Sequence, residues 1–287
     1  MIKLSNGHCL EYVTASGAMG YDGQGWPWEK PLVWARLIQP ELFTHITKTI
    51  TALPHKGNVR WWNPFYCVRL LRGGVVNAVG LENPGLGWWF RHVGYKLCRE
   101  KTALVASVYF ESEPQRQEIA ALLNAVDLVG VEVNTRCPNI QRSPYWQCCE
   151  TIVRNCREFK KDLRHPLLLK LSVEDNVEQI LPRLEGVVEA VSVNSVRWKK
   201  IFPDKPSPLA HLGGGGASGK ITQSLVWPFL GRVARASAIP VIASAVWDFE
   251  DLARVRQYEV SAIGFGAVHL LYPWRPTIFV KKEMKRK

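Results

Sequence analysis

The feature that most constrains this chain is an alternation. Eight short apolar, β-branched runs, at residues 12–17, 45–49, 104–109, 128–134, 167–171, 190–195, 240–245 and 262–267, are separated by longer stretches. Amphipathic helical patterns fill residues 114–126, 147–163, 175–184, 224–236 and 249–257. Several of the runs are almost continuously apolar, which is how strands buried on both faces read. Alternating strands and helices pair in parallel through right-handed crossovers. Eight such units predict an α/β fold, a closed (β/α)8 TIM barrel, with an open doubly wound sheet as the lesser alternative.

Composition narrows the class. The chain is 47% hydrophobic and 22% charged, values of a folded globular protein. No apolar run approaches the ~18 residues of a membrane helix, and the N-terminal MIKLSNGHCLEYV has no secretory pattern. Seven cysteines, an odd number without a CxxC pair, argue against a disulfide framework and for reduced thiols in a cytoplasm, packed as small buried hydrophobes. Their spacing supports no metal site. The net charge of +12 fits nucleic acid, small anions or a solvated basic surface. Its densest run, Lys281, Lys282, Lys285, Arg286 and Lys287, reads as a helix end.

Residues 1–11 read as a hairpin around Ser5-Asn6-Gly7, with a type I′ turn. Residues 50–103 are too long for one helix and hold four of the twelve tryptophans; they read as a loop-and-hairpin excursion over one barrel end. With no repeat and no low-complexity linker, residues 1–287 read as a single domain.

Barrel chemistry sits at strand C-termini, and there the sequence places unusual residues. Lys48 and Lys170 lie within apolar strands, where an ammonium needs an anionic partner; two of them suggest a shared electron-rich ligand. Asn134 and Asn194 occupy similar positions and suit a planar, hydrogen-bonding molecule. The glycine cluster HLGGGGASGK, 211–220, reads as a loop whose amides cradle phosphate or simply stay flexible. Cys137 lies in a polar loop beside Arg136, a cation that favours thiolate.

Together these segments resemble the dihydroorotate dehydrogenase family. ASG at 15–17 is similar to the family's first flavin-contacting turn, and ITKTIT, 46–51, to the strand carrying an active-site lysine. NAVGLEN, 77–83, resembles the substrate loop, and NTRCPN, 134–139, the N-x-S-C-P-N segment with the catalytic base. LKLS supplies Lys170, VNS supplies Asn194 and Ser195, and GGASGK, 215–220, resembles the flavin loop.

The resemblance implies an FMN-dependent oxidoreductase that converts (S)-dihydroorotate to orotate in pyrimidine biosynthesis. Cys137 acts as general base at C5 while hydride passes from C6 to flavin N5. Catalytic roles fall to Cys137 and Lys48. Substrate contacts fall to Lys48, Asn77, Gly80, Leu81, Asn134, Asn139, Asn194 and Ser195. Flavin contacts fall to Ala15, Ser16, Gly17, Lys48, Asn134, Lys170, Gly216, Ser218, Gly219, Ser244, Ala245, Gly266 and Ala267. A cysteine base resembles the soluble class 1 enzymes, and KTIT the NAD-linked two-subunit form. A homodimer in the cytoplasm is implied, with or without an electron-transfer subunit, and with neither membrane, metal nor nucleic acid as partner. The chain departs from the family at Ser244-Ala245-Val246, where glycines grip the flavin phosphate, and at Gly266-Ala267, Arg136 and Val79. Two alternatives are a dihydrouridine synthase-like FMN enzyme acting on tRNA, which would suit the +12 charge, and a barrel that has lost its flavin and only binds.

Overall fold

The computed structural model describes residues 1–137, 139 and 143–286. The barrel strands are β1 (Tyr12–Thr14), β2 (Thr44–Ile46), β3 (Leu104–Tyr109), β4 (Gly130–Asn134), β5 (Leu167–Leu171), β6 (Ala190–Val193), β7 (Ile242–Ala243) and β8 (Ala262–Phe265). They pair in parallel in the order β6-β5-β4-β3-β2-β1-β8-β7. One parallel bridge between Val191 and Val241 joins the two ends. Val191 N donates there to Pro240 O at 2.9 Å. The barrel is thus nearly closed, and the doubly wound alternative is excluded.

The helices form where the periodicity predicts, with ends that shift by up to three residues. Residues Glu113–Leu123 start at Ser112, whose Oγ caps Gln115 N. Helix Cys149–Asp162 buries Ile152, Val153, Cys156 and Phe159 on one stripe. Residues 175–184 are not one helix: an α-helical turn, Val177–Ile180, passes into a 3₁₀ turn, Leu181–Leu184, because Pro182 cannot donate to an α-helical ladder.

Period-two alternation divides the barrel core. On β5, Leu167, Leu169 and Leu171 pack outward against the helices, while Leu168 points inward with Val13, Ile46, Val105, Ala190, Ile242 and Ala262. Ile2, Leu4 and Leu10 of the N-terminal hairpin join this inner layer and plug the lower end of the barrel. The hairpin is as expected, but its turn is not type I′. Only Gly7 takes a positive φ, of 88°, and the loop closes through Leu4 N to His8 O at 2.8 Å.

Two residues further along most strands the interior turns polar. Ala15, Lys170, Ser192, Ser244 and Gly264 line a small cavity there, with Ser107 and Glu132 fully buried beside it. Above the mouth lies a second, antiparallel sheet in the order Val196–Arg197, Gly216–Gly219, Gly74–Asn77, Val68–Leu71. The excursion after β2 contributes its hairpin, closed at Gly73 with φ 84°. The glycine cluster is corrected by this sheet: residues 216–219 are a strand, not a loop, pairing with Asn77 to Gly74 on one side. The glycines are required by packing. A Cβ on Gly215 would fall 2.7 Å from Asn77 O, and one on Gly219 2.8 Å from Gly73 O.

Three of the seven cysteines, Cys67, Cys137 and Cys156, are buried, whereas Cys9 and Cys148 are exposed; most are not core residues, contrary to expectation. The basic tail ends helix Arg275–Met284. Lys282 and Arg286 lie over the Phe249 ring at 4.1 and 4.7 Å, and Lys287 lies outside the described residues. Among those residues no helix is long and apolar enough to cross a membrane.

Candidate active site

Several expected strand ends are turns. β1 stops at Thr14, β6 at Val193, β7 at Ala243 and β8 at Phe265. Ala15, Ser16, Gly17, Asn194, Ser195, Ser244, Ala245 and Gly266 therefore sit on connections, and Ala267 opens helix Ala267–Leu271. The inter-strand bonding carries on a step beyond the strands, Ala15 N donating to Phe265 O at 2.8 Å, Gly17 N to Ile46 O at 3.2 Å and Asn194 N to Leu171 O at 2.8 Å. Lys48 also lies outside its ladder, between β2 and a short strand Ile50–Thr51 that rejoins β3.

The β1 turn and the β2 end form one unit. Ser16 Oγ donates to Thr47 O at 2.9 Å and lies 3.2 Å from Thr49 Oγ1. Gly17, with φ 81°, has its Cα against the Lys48 side chain, where a Cβ would meet Lys48 Cβ at 3.5 Å. A side chain there would be strained by the positive φ, though its Cβ would sit in ordinary contact with the lysine. Lys48 is half-buried, and its ammonium has no hydrogen-bond or salt-bridge partner among the described residues. Burial holds its pKa below the usual lysine value, while Cys137 and Glu82 pull it back up.

Lys170 differs. Its ammonium lies 3.2 Å from Glu132 Oε1. Glu132 also accepts from Ser107 Oγ at 3.0 Å and from Ser192 Oγ at 2.6 Å. The electron-rich partner expected for both lysines is, for Lys170, a carboxylate of the protein itself. Sequence reasoning missed Glu132, although a carboxylate between two valines in a mostly apolar strand was its visible signal.

The amides converge in two pairs. Asn194 Nδ2 donates to Asn134 Oδ1 at 3.1 Å and to Arg136 O, and Asn134 Nδ2 donates to Thr49 Oγ1 at 3.3 Å. Asn139 Nδ2 donates to Asn77 Oδ1 at 3.0 Å, and Asn77 Nδ2 to Gly216 O at 3.4 Å. The second pair ties the loop after β4 to the upper sheet. Asn139 Oδ1 is buried without a hydrogen-bond partner. Gly80 and Leu81 hold φ of 74° and 57°. Their loop packs on residues 57–58, where Asn58 Nδ2 donates to Ala78 O at 2.8 Å. Neither residue makes a hydrogen bond to the asparagine pairs.

Cys137 is buried, being 8% accessible. Burial pushes its thiol above the usual range, while a backbone hydrogen bond at Asn139 and the charges of Lys48, Lys170 and Arg197 act downward. Arg136 does not assist it. Its guanidinium turns away to Glu174 at 2.5 Å and Asp175 at 3.4 Å. Pro138 of the same motif lies outside the described residues.

Around β7 and β8, Ala245 holds φ 62°, the left-handed backbone that glycine takes without cost. Its carbonyl accepts from Gln223 Nε2 at 2.9 Å, and the Ser244 carbonyl from Trp227 Nε1 at 3.1 Å. Gly266 approaches Ala15, a Cβ on it falling 3.3 Å from that methyl. The hydroxyls of Ser195, Ser218 and Ser244 make no hydrogen bond to the described residues. Among those residues, no three His, Cys, Asp or Glu side chains cluster to hold a metal.

A larger recess, about 510 Å³, opens at the other end of the barrel beside Glu11, Arg256, Ser261 and Glu283. It lies at the N-terminal ends of the strands, where barrel enzymes do not place chemistry, and holds none of the residues above.

Comparison with known proteins agrees with this arrangement. The family model for dihydroorotate dehydrogenase matches residues 32–245. Similar relatives are each named dihydroorotate dehydrogenase B (NAD(+)), catalytic subunit. One from Malacoplasma penetrans is 24% identical over 76% of this chain and 73% of its own. One from Lachnoclostridium phytofermentans is 25% identical over 79% and 76%, and one from Bacteroides fragilis 24% identical over 91% and 84%. With most of its length matched and the barrel mouth built from the motif residues, the chain belongs to the dihydroorotate dehydrogenase family.

Proposed function

We propose that this protein oxidises (S)-dihydroorotate to orotate in pyrimidine biosynthesis, using FMN at the barrel mouth. The observation that carries the reading is the double asparagine array, Asn134 with Asn194 and Asn139 with Asn77. It presents amide donors and acceptors beside a buried thiol and an ammonium unpaired among the described residues, the groups that a planar, anionic, hydrogen-bonding ring requires.

The donor set fits a flavin. Among the described residues the Lys48 ammonium and the Ser218 and Ser244 hydroxyls have no partner, and Ala245 keeps the backbone path of the missing glycine despite its methyl. Ala15, Ser16, Gly17, Lys48, Asn134, Lys170, Gly216, Ser218, Gly219, Ser244, Ala245, Gly266 and Ala267 would hold it. Bound there, FMN supplies the acceptor for two electrons and a proton. Lys48 and Lys170 place positive charge where a reduced ring gathers negative charge.

The substrate carboxylate and ring amides fall to Lys48, Asn77, Gly80, Leu81, Asn134, Asn139, Asn194 and Ser195. Cys137 takes the proton from C5. Thiolate formation is opposed by burial and favoured by Lys48, so the lysine helps to bind the substrate anion and also stabilises the base. The names of the relatives support a catalytic subunit working with an electron-transfer subunit, here in a homodimeric, cytoplasmic enzyme. Fumarate, NAD and quinones, offered in turn to the reduced protein, identify the acceptor.

The test of the whole reading is spectroscopic. Purified protein is yellow or becomes so with FMN, and anaerobic dihydroorotate bleaches the flavin band. Protein that neither carries nor takes up FMN overturns it.

A further inference from the structure

Glu132 belongs to none of the roles above. It is 0% exposed, on an inward-facing position of β4, directly across from Ser107 in the strand register. Each carboxylate oxygen is occupied. Oε1 meets Lys170 Nζ at 3.2 Å and Ser107 Oγ at 3.0 Å, and Oε2 meets Ser192 Oγ at 2.6 Å. Ser192 in turn faces Lys170 across the β5–β6 ladder. Four strands, β3 to β6, thus converge on one carboxylate at the floor of the mouth. Two hydroxyls and an ammonium satisfy it so fully that it has little capacity left for a ligand. A buried carboxylate with this shell exists to hold the charge it faces.

We propose that Glu132 is the positioning residue for Lys170: it fixes the ammonium toward the flavin edge and supplies the counter-charge that the buried ammonium needs. The inference rests on the reading that Lys170 faces FMN. Without Glu132, Lys170 would be a buried lysine lacking a counter-ion, and such lysines give up their proton well below the usual value. Cys137 also interacts with Lys170 through its charge, and Lys48 interacts with Cys137 in turn. The serines and Thr135, whose Oγ1 donates to the Lys170 carbonyl at 3.0 Å, carry no charge.

The test uses sulfite, whose addition to a flavin ring creates an anion that a neighbouring cation stabilises. Sulfite affinity of the FMN-loaded protein is measured from acid to alkaline pH, in a Cys137→Ala background, for Glu132→Gln, Lys170→Met and the parent. The ratio of variant to parent cancels the ionisation of sulfite itself. Lys170→Met binds sulfite more weakly at every pH. Glu132→Gln binds it about tenfold more tightly at acid pH, where an unopposed charge remains, then falls to the Lys170→Met level as pH rises. A Glu132→Gln ratio that does not vary with pH overturns the proposal. The second measurement needs no flavin and no Glu132 variant. In flavin-free Lys170→Met, Glu132 loses its cation and takes up a proton, seen as a new protonated-carboxyl band in infrared difference spectra near neutral pH. Absence of that band also overturns the proposal. Failure to load FMN, with the band present, counts against the flavin reading alone.

Discussion

Asn139 and Asn77 meet side chain to side chain, Nδ2 to Oδ1 at 3.0 Å, although one follows a barrel strand and the other ends a strand of the upper sheet. This contact fastens the upper sheet to the barrel where the substrate is proposed to bind. Asn77→Ala and Asn139→Ala are each expected to raise the KM for dihydroorotate by roughly tenfold or more, the loss of one or two buried hydrogen bonds. Because the two side chains share one contact, the double variant is expected to cost less than the product of the single effects. Steady-state kinetics on the three variants check this, and an unchanged KM in Asn77→Ala removes it from substrate binding.

Cys137→Ala is expected to abolish flavin reduction by dihydroorotate, a loss of at least ~100-fold, while FMN stays bound. Stopped-flow absorbance reads both. Because burial raises the thiol pKa, the parent reduction rate is expected to keep climbing with pH through the ordinary thiol range. Removing the Lys48 charge moves that climb to still higher pH. Reduction at the parent rate in Cys137→Ala would assign the base elsewhere.

Ala245 occupies a left-handed conformation that costs a non-glycine residue about 1–2 kcal/mol. Ala245→Gly relieves it, offset in part by the greater freedom of glycine in the unfolded chain. A net gain of up to about 1 kcal/mol is expected, read as a raised thermal midpoint. A midpoint lowered by the change would show that the methyl contributes packing that outweighs the strain.

His45 is buried, with Nδ1 2.9 Å from Thr14 Oγ1 and Nε2 3.0 Å from Pro40 O. Burial lowers its pKa from 6.5 to about 4. The folded state resists protonation that the unfolded state accepts, so the imidazole favours folding fully above about pH 6.5 and loses that contribution as pH falls toward about 4. The loss is on the order of 3 kcal/mol. Denaturant titrations near neutrality and near pH 4.5 are expected to show a smaller acid loss in His45→Asn than in the parent. Equal losses would place the acid sensitivity elsewhere.

The barrel was legible because alternation is a local property. Runs such as Leu167–Leu171 and Leu104–Tyr109 agree with the structure to the residue, since strands buried on both faces are mostly apolar, Lys170 and Ser107 being the exceptions. Boundaries at polar ends were misplaced. Residues 15–17 and 194–195 lie just past the strands, where Ala15 N and Asn194 N still donate to neighbouring strands at 2.8 Å, and composition does not mark where the ladder stops. The glycine cluster was misread because a glycine required by a close strand looks the same as one required by a loop. Gly215 and Gly219 are small because residues 73–77, far away in sequence, run against them.

By itself, the sequence determined the parallel eight-strand order, the family motifs and the identity of the chemical groups, all carried by neighbours along the chain. Only the tertiary structure decided how those groups are partnered. It gave Lys170 to Glu132 and left Lys48 without a partner among the described residues, turned Arg136 toward Glu174 and Asp175, and buried the thiol of Cys137. The reason is physical. Charge and proton affinity depend on desolvation and on partners a few ångströms away, and these partners come from strands and loops that the chain brings together only by closing the barrel.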